Sequence, residues 1–325
     1  DINEKITNNA NNINQVTNIV EPILGENIYL QNNSNVIDNK HFFYNQLTSE
    51  EKDIYNALEN NKEKLKKGNY EIDLPSSIGK IYEEQNGEAK LNQMYQNVMD
   101  AFNTDNIDIF YIDSTKIYLL TKITTKITTK TYDIKLSNGE NLDNYYTDYF
   151  TTEEQVTNAI NYVEEESNKI ISNISGNNYD KIKQIHDWIV DNIEYDQTYS
   201  NIHNNNIYGA LKDRKVVCEG YAKLMKYLLD KINIPNVLVS GIGTDNNGNT
   251  ENHMWNYVML NGNWYAVDCT WDDPIIIGNG RVSNSNRYKY FLKGSNDFMK
   301  DHKEIGNVSS SGMVFTYPEL SKENY

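Results

Sequence analysis

Cysteine is scarce in this chain: Cys218 and Cys269 are the two in 325 residues, and neither lies in a C-x-x-C pair. A disulfide framework is therefore excluded. The five histidines show no zinc spacing, so neither a metal nor a cofactor is expected. Proline and glycine are few, at 5 and 17, beside a hydrophobic content of 38%. That balance supports a folded core and argues against global disorder. No run approaches the roughly 18 apolar residues that a membrane-spanning helix needs. Positive charge is short as well: 30 Lys and Arg against 46 Asp and Glu give a net charge of −16. Phosphate backbones need a basic stripe, so a nucleic-acid partner is not expected. The acidity is read as a solubility feature with a weak pull on amine-bearing partners. A start at Asp1 without a charged, apolar leader fits a chain already processed or trimmed.

The Asn-rich stretch 1–40 reads as a linker or loosely held arm. Periodicity sharpens after it. Thr48-x-x-Glu51 is a capping box leading into Ile54, Ala57, Leu58 and Leu65 on one face,. Leu91, Met94, Tyr95, Val98 and Phe102 mark a second helix,. Residues 107–136 read as strands, because the Thr density of TKITTKITTK outweighs its helix-like Ile spacing,. Thr152-x-x-Gln155 opens a long helix, and Ile182, Ile185, Ile189 and Ile193 stripe the next, with His186 beside the stripe in an expected structural role. The expected division is 1–40 as arm, 41–150 as an α+β accessory region, 151–305 as the core and 306–325 as a tail.

The segment HMWNYVML-Asn261-Gly262-NWYAVDCTW carries a strong hairpin signal,. With a two-residue turn, Leu260 faces Asn263, Trp255 faces Asp268 and His253 faces Thr270. Period-two alternation then places His253, Trp255, Asp268 and Thr270 on one face. His253 and Asp268 become diagonal neighbours, roughly 7–8 Å apart at Cβ, and a histidine fixed by a carboxylate is an oriented general base. Cys218 stands just before the stripe Tyr221, Leu224, Met225, Leu228 and Ile232, at the N-cap or first turn of a helix. A helix N-terminus favours a thiolate and offers N–H groups to an oxyanion. Cys269 falls on the opposite strand face and is expected to fill the core. The loop in GIGTDNNGN lacks the P-loop lysine and the EF-hand spacing,.

VVCEGYAKLM, HMWNYVMLNGNWYAVDCTWDDP and YKYFLKGSNDFMKDH together resemble the bacterial branch of the transglutaminase-like superfamily. The resemblance covers about 180–305, and HFFYNQLTSEEKDIYNAL with IDIFYID extends it to about 41–305. It implies an α+β, papain-like fold, with a helix bearing Cys218 packed on an antiparallel sheet bearing His253 and Asp268. In that fold Cys218 is the nucleophile, His253 the base and acid, and Asp268 the orienting carboxylate. Tyr208 is a candidate oxyanion donor, with ordinary packing as the alternative. Trp255, Trp264 and Trp271 are three of the four tryptophans; Trp255 is expected to shield the His–Asp bond, while Trp264 and Trp271 line the site or simply pack the core. Asp272-Asp273-Pro274 reads as a turn. The implied activity is thiol-dependent acyl transfer at a protein or cell-wall peptide amide, with a Lys or other amine as acceptor. The rivals are a cysteine peptidase or amidase and a non-catalytic cell-surface binding module. Relatives of this kind are often exported, so an extracellular or surface location is expected.

Overall fold

The computed structural model describes residues 2–7, 28–30, 36–38, 41–139, 143–273, 275–276, 280–281 and 287–325. Most of the expected N-terminal arm and Pro274 therefore lie outside the described residues. The chain divides into two units. One comprises residues 1–23, 41–158 and 308–313, and the other residues 24–40, 159–307 and 314–325.

The first unit opens with β1 (Ile2–Thr7) and α1 (Ser49–Glu59). The α1 capping box forms as read, with the Thr48 side chain accepting from Glu51 N and the Glu51 carboxylate accepting from Thr48 N. The helix stops at Glu59, earlier than its apolar spacing suggests, and Leu65 is buried from a separate short turn. β2 (Ile72–Asp73), α2 (Ser76–Tyr82) and α3 (Gly87–Asp105) follow. Asp105 ends α3 buried, and it accepts from Phe43 N, Tyr44 N and Tyr55 Oη at 2.9–3.0 Å. TKITTKITTK lies in the hairpin of β3 (Tyr118–Lys126) and β4 (Thr129–Ser137), with Ile127 fully exposed at its turn. The sheet order is β1-β3-β4-β2. Residues 107–113, read as strand, are turn and bridge instead.

The second unit uses the C-terminal part of α4 (Glu153–Ile171), then α5 (Asn178–Asn192), β5 (Glu194–Tyr195), α6 (Ile207–Lys212), β6 (Lys215–Val216) and α7 (Cys218–Lys231). Ile182, Ile185, Ile189 and Ile193 are all buried, as their stripe demanded. β7 (Asn236–Thr244), β8 (Thr250–Leu260) and β9 (Asn263–Val267) lead into the one-turn α8 (Cys269–Asp272), then α9 (Ser295–Phe298) and β10 (His302–Glu304). These strands form an antiparallel sheet in the order β9-β8-β7-β10. Helix α7 lies against it through Tyr221, Leu224, Met225 and Leu228, while Asn256 Nδ2 donates to Ala222 O at 2.9 Å. Ile232, read as part of that stripe, caps the helix half-buried.

Residues 314–325 do not behave as the expected tail. Phe315 and Leu320 are buried, Ser321 N donates to Trp264 O at 2.8 Å, and the Tyr325 ring stacks on Tyr179. A segment carrying buried Phe315 and Leu320 cannot leave the core without exposing them,. The fold is α+β, with a papain-like pairing of a cysteine-bearing helix and an antiparallel sheet.

Candidate active site

The β8–β9 hairpin has the register its turn implied. Leu260 pairs with Asn263, and the ladder runs up to Asn256 opposite Val267. Asn261 and Gly262 take the positive φ values, 52° and 80°, that a tight two-residue turn requires,. Beyond Val267 the strand expectation fails. Asp268 is the N-cap of α8, its Oδ1 accepting from Trp271 N at 3.1 Å, so neither Asp268 nor Thr270 continues the ladder. Trp255 therefore does not face Asp268 across a strand pair, nor His253 Thr270. The helical turn still brings the carboxylate to the histidine: His253 Nε2 donates to Asp268 Oδ2 at 2.6 Å, with both side chains buried.

Cys218 begins α7 with its thiol half-buried, and Val217 is an N-cap without a side-chain bond. Gly220 N and Tyr221 N are taken by Val217 O. Cys218 lies close enough to His253 for its charge to act on the ring, and because Nε2 is committed to Asp268, the ring nitrogen left to serve the sulfur is Nδ1. Cys218, His253 and Asp268 thus come together from a helix start, a strand and a helix cap. Burial alone would push the His253 imidazole down, but the Asp268 charge and hydrogen bond outweigh it, with Cys218 adding, and hold it at about 10. Burial likewise would raise Asp268, yet the His253 and His302 rings hold its carboxyl well below the usual carboxylate range.

His302 was not among the site residues read from the sequence. It enters on β10, an edge strand, and its Nε2 meets the same Asp268 Oδ2 at 2.8 Å. A ring nitrogen of His253, a ring nitrogen of His302 and a carboxylate oxygen of Asp268 lie within 4.8 Å of one another. As arranged they form a hydrogen-bonded network in which one carboxylate oxygen serves both rings. Aromatic rings enclose it. Trp271 stacks on His253 at 5.2 Å, and Trp255 stands edge-on to His302 at 5.0 Å. Gly243 is required for this approach, since a Cβ there would lie 2.7 Å from the Trp271 ring.

A pH dependence of stability follows from these shifts. The His253 value stands above its ordinary 6.5, so its contribution is complete below about pH 6.5 and is lost as pH rises through about 10. Asp268 is depressed below 3.8, so its contribution is present above that value and lost as pH falls. The denaturant midpoint of the second unit is expected to fall between pH 6.5 and 10, with a shallower fall in His253→Gln. Parallel slopes in the two proteins would refute it.

The other expected residues divide. Trp255 and Trp271 contact the network, whereas Trp264 is buried beside Leu320, opposite Met259. Tyr208 is engaged elsewhere: its hydroxyl meets Lys212 Nζ at 2.7 Å and its ring lies edge-on to His203 and Tyr162. Tyr195, missed from the sequence, is half-buried, stacks on Tyr221 and lies close enough to Cys218 to be influenced by its charge. His186 is buried between Asp187 and Asp272, at 3.0 and 2.9 Å, a structural setting. Asp272 is not a surface turn residue; it is buried and also accepts from Tyr290 N. Asp273 accepts from Tyr221 Oη. Cys269 fills the core near Met225 from the first turn of α8, not from a strand face.

A thiol at a helix start, packed on a sheet that carries a carboxylate-bound histidine, is a papain-like arrangement. Residues 164–269 match the family model of the transglutaminase-like superfamily. Among curated proteins it is similar to kyphoscoliosis peptidase of Mus musculus, 26% identical over 150 residues, which is 42% of this chain and 22% of that protein. The Homo sapiens kyphoscoliosis peptidase is 27% identical over 136 residues, 38% of this chain and 20% of that protein. The chain thus spans about a fifth of the length of these relatives. Among solved structures a TGase is 14% identical with TM-score 0.31, covering 50% of this chain and 46% of its own. The periplasmic domain of TgpA from Pseudomonas aeruginosa is 12% identical with TM-score 0.27, covering 50% and 73%. Among the described residues no helix is long and apolar enough to cross a membrane.

Proposed function

We propose that this protein catalyses thiol-dependent acyl transfer at an amide of a protein or cell-wall peptide, outside the cytoplasm. The observation that carries the reading is His253 bound to the buried Asp268 carboxylate, with Cys218 at the start of α7 near enough to act on the ring. Cys218 Sγ attacks the amide carbonyl carbon, and the tetrahedral oxyanion is stabilised at the α7 N-terminus. As the C–N bond breaks, His253 Nδ1 gives its proton to the departing amine, leaving an acyl-thioester. A primary amine such as lysine then loses its proton to the same nitrogen, attacks the thioester and releases the thiol. Water in the amine's place gives a peptidase or amidase, a second reading favoured by the peptidase name of the curated relatives. Asp268 keeps the His253 ring aimed at the sulfur. Tyr195 is the side chain that this site offers the oxyanion, in place of Tyr208.

The test incubates the protein with a glutamine peptide and a fluorescent amine, then with the peptide alone. Incorporation of the amine supports transfer, and ammonia or cleaved peptide without incorporation supports hydrolysis. A thiol at Cys218 inert to iodoacetamide at neutral pH, with no turnover of any amide, would leave the non-catalytic binding module as the surviving reading.

A further inference from the structure

We propose that His302 is a positioning residue for the catalytic dyad, fixing the Asp268 carboxylate by donating its Nε2–H to the oxygen that orients His253. The proposal rests on Cys218 and His253 acting as proposed above. An ionised carboxylate only accepts, so Asp268 Oδ2, 2.6 Å from His253 Nε2 and 2.8 Å from His302 Nε2, receives a proton donor from each ring. Its Oδ1 receives Trp271 N at 3.1 Å. Three donors from three elements (β8, β10 and α8) leave the carboxylate one orientation.

His302 is itself locked. Its ring is buried and stacks on Phe298 at 3.9 Å and 23°, and its Nδ1 meets Asp301 Oδ1 at 2.7 Å. Tyr290 Oη donates to the other Asp301 oxygen at 2.7 Å, and the Tyr290 ring stands edge-on to His302. The titratable groups facing this ring are Asp268, Asp301, His253 and Tyr290, with Cys218 beyond His253 and Asp272 acting on Asp268 through space. A chain Tyr290–Asp301–His302–Asp268–His253 therefore ends at the nitrogen that serves the sulfur. Because His302 shares Oδ2, it also takes up acceptor strength that would otherwise fall on His253 alone.

Two variants separate this role from ring packing. His302→Phe keeps the stack on Phe298 and loses the donor, while His302→Gln loses the ring and keeps an N–H near the position of Nε2. The readout is the pH profile of Cys218 alkylation by iodoacetamide, which needs no substrate. With the donor gone, Asp268 binds the His253 proton more tightly. The alkaline limb should move up by on the order of one pH unit in His302→Phe, and less than half as far in His302→Gln. No shift in the Phe variant, or a shift in the Gln variant at least as large, overturns the proposal. A wild-type Cys218 that does not alkylate overturns the nucleophile assignment and the proposal with it. Nitrogen-15 NMR of the wild-type histidine rings tests the proposal without any variant: His302 must carry a proton on Nε2, and a ring protonated on Nδ1 alone overturns it.

Discussion

Cys218→Ala is expected to reduce amide turnover to background, a loss of roughly 10⁴–10⁶-fold in kcat, with the fold intact. No other thiol can take over. Cys269 is the second cysteine, buried against Met225; its thiol is pushed well up by burial and by the Asp272 and Asp268 charges. The substitution itself is mild, because the side chain is half-buried and alanine is a strong helix former at the start of α7,. Wild type should therefore take one fast equivalent of iodoacetamide and the variant none, with matching unfolding midpoints. Turnover surviving in Cys218→Ala would sink the mechanism, whatever the substrate.

Asp268→Ala is expected to be damaging twice over. Activity should fall roughly 10³–10⁴-fold, since a histidine without its carboxylate loses both ring orientation and the preference for imidazolium. Stability of the second unit should fall by about 3–5 kcal/mol, the range for breaking a buried charged pair by removing one partner. The reason lies in the three contacts this one side chain makes: Trp271 N, His253 Nε2 and His302 Nε2. Asp268→Asn separates the two losses. An asparagine oxygen can still cap α8, so much of the stability should return, but its amide cannot accept from both rings and activity should stay low. Thermal unfolding of the two variants beside a turnover assay measures both. Equal stability for Ala and Asn would show that the cap contributes little, and wild-type activity in Asn would refute the orienting role.

Much of the site was legible before any coordinates, and the particular residues say why. The Cys218 helix, the Asn261-Gly262 turn and the capping box at Thr48 are local: spacing, turn chemistry and side-chain-to-backbone bonds act within a few residues. The pairing of Leu260 with Asn263 followed from the turn alone. Extending that ladder to Asp268 was sound in its outcome and mistaken in its geometry, because an aspartate that can cap a helix competes with the strand, and here the cap forms,. Tyr208 and Tyr195 show the opposite case. Both precede Cys218 in sequence, and nothing local distinguishes them. The parallel pairing of Tyr195 with Val216 brings one beside the thiol, while α6 turns the other toward Lys212 and His203.

The local rules settled that Cys218 starts a helix, that a hairpin follows it, and that Leu260 pairs with Asn263. The long-range packing settled the rest: which tyrosine stands by the sulfur, that Trp271 covers His253, and that His302 shares the Asp268 oxygen. Those last contacts join residues 34 apart along the chain, through an edge strand paired with β7. Burial of Phe298, Trp255 and Tyr290 against His302 holds that strand in place. No periodicity within β10 encodes that pairing, because the apolar surface that selects it belongs to other elements.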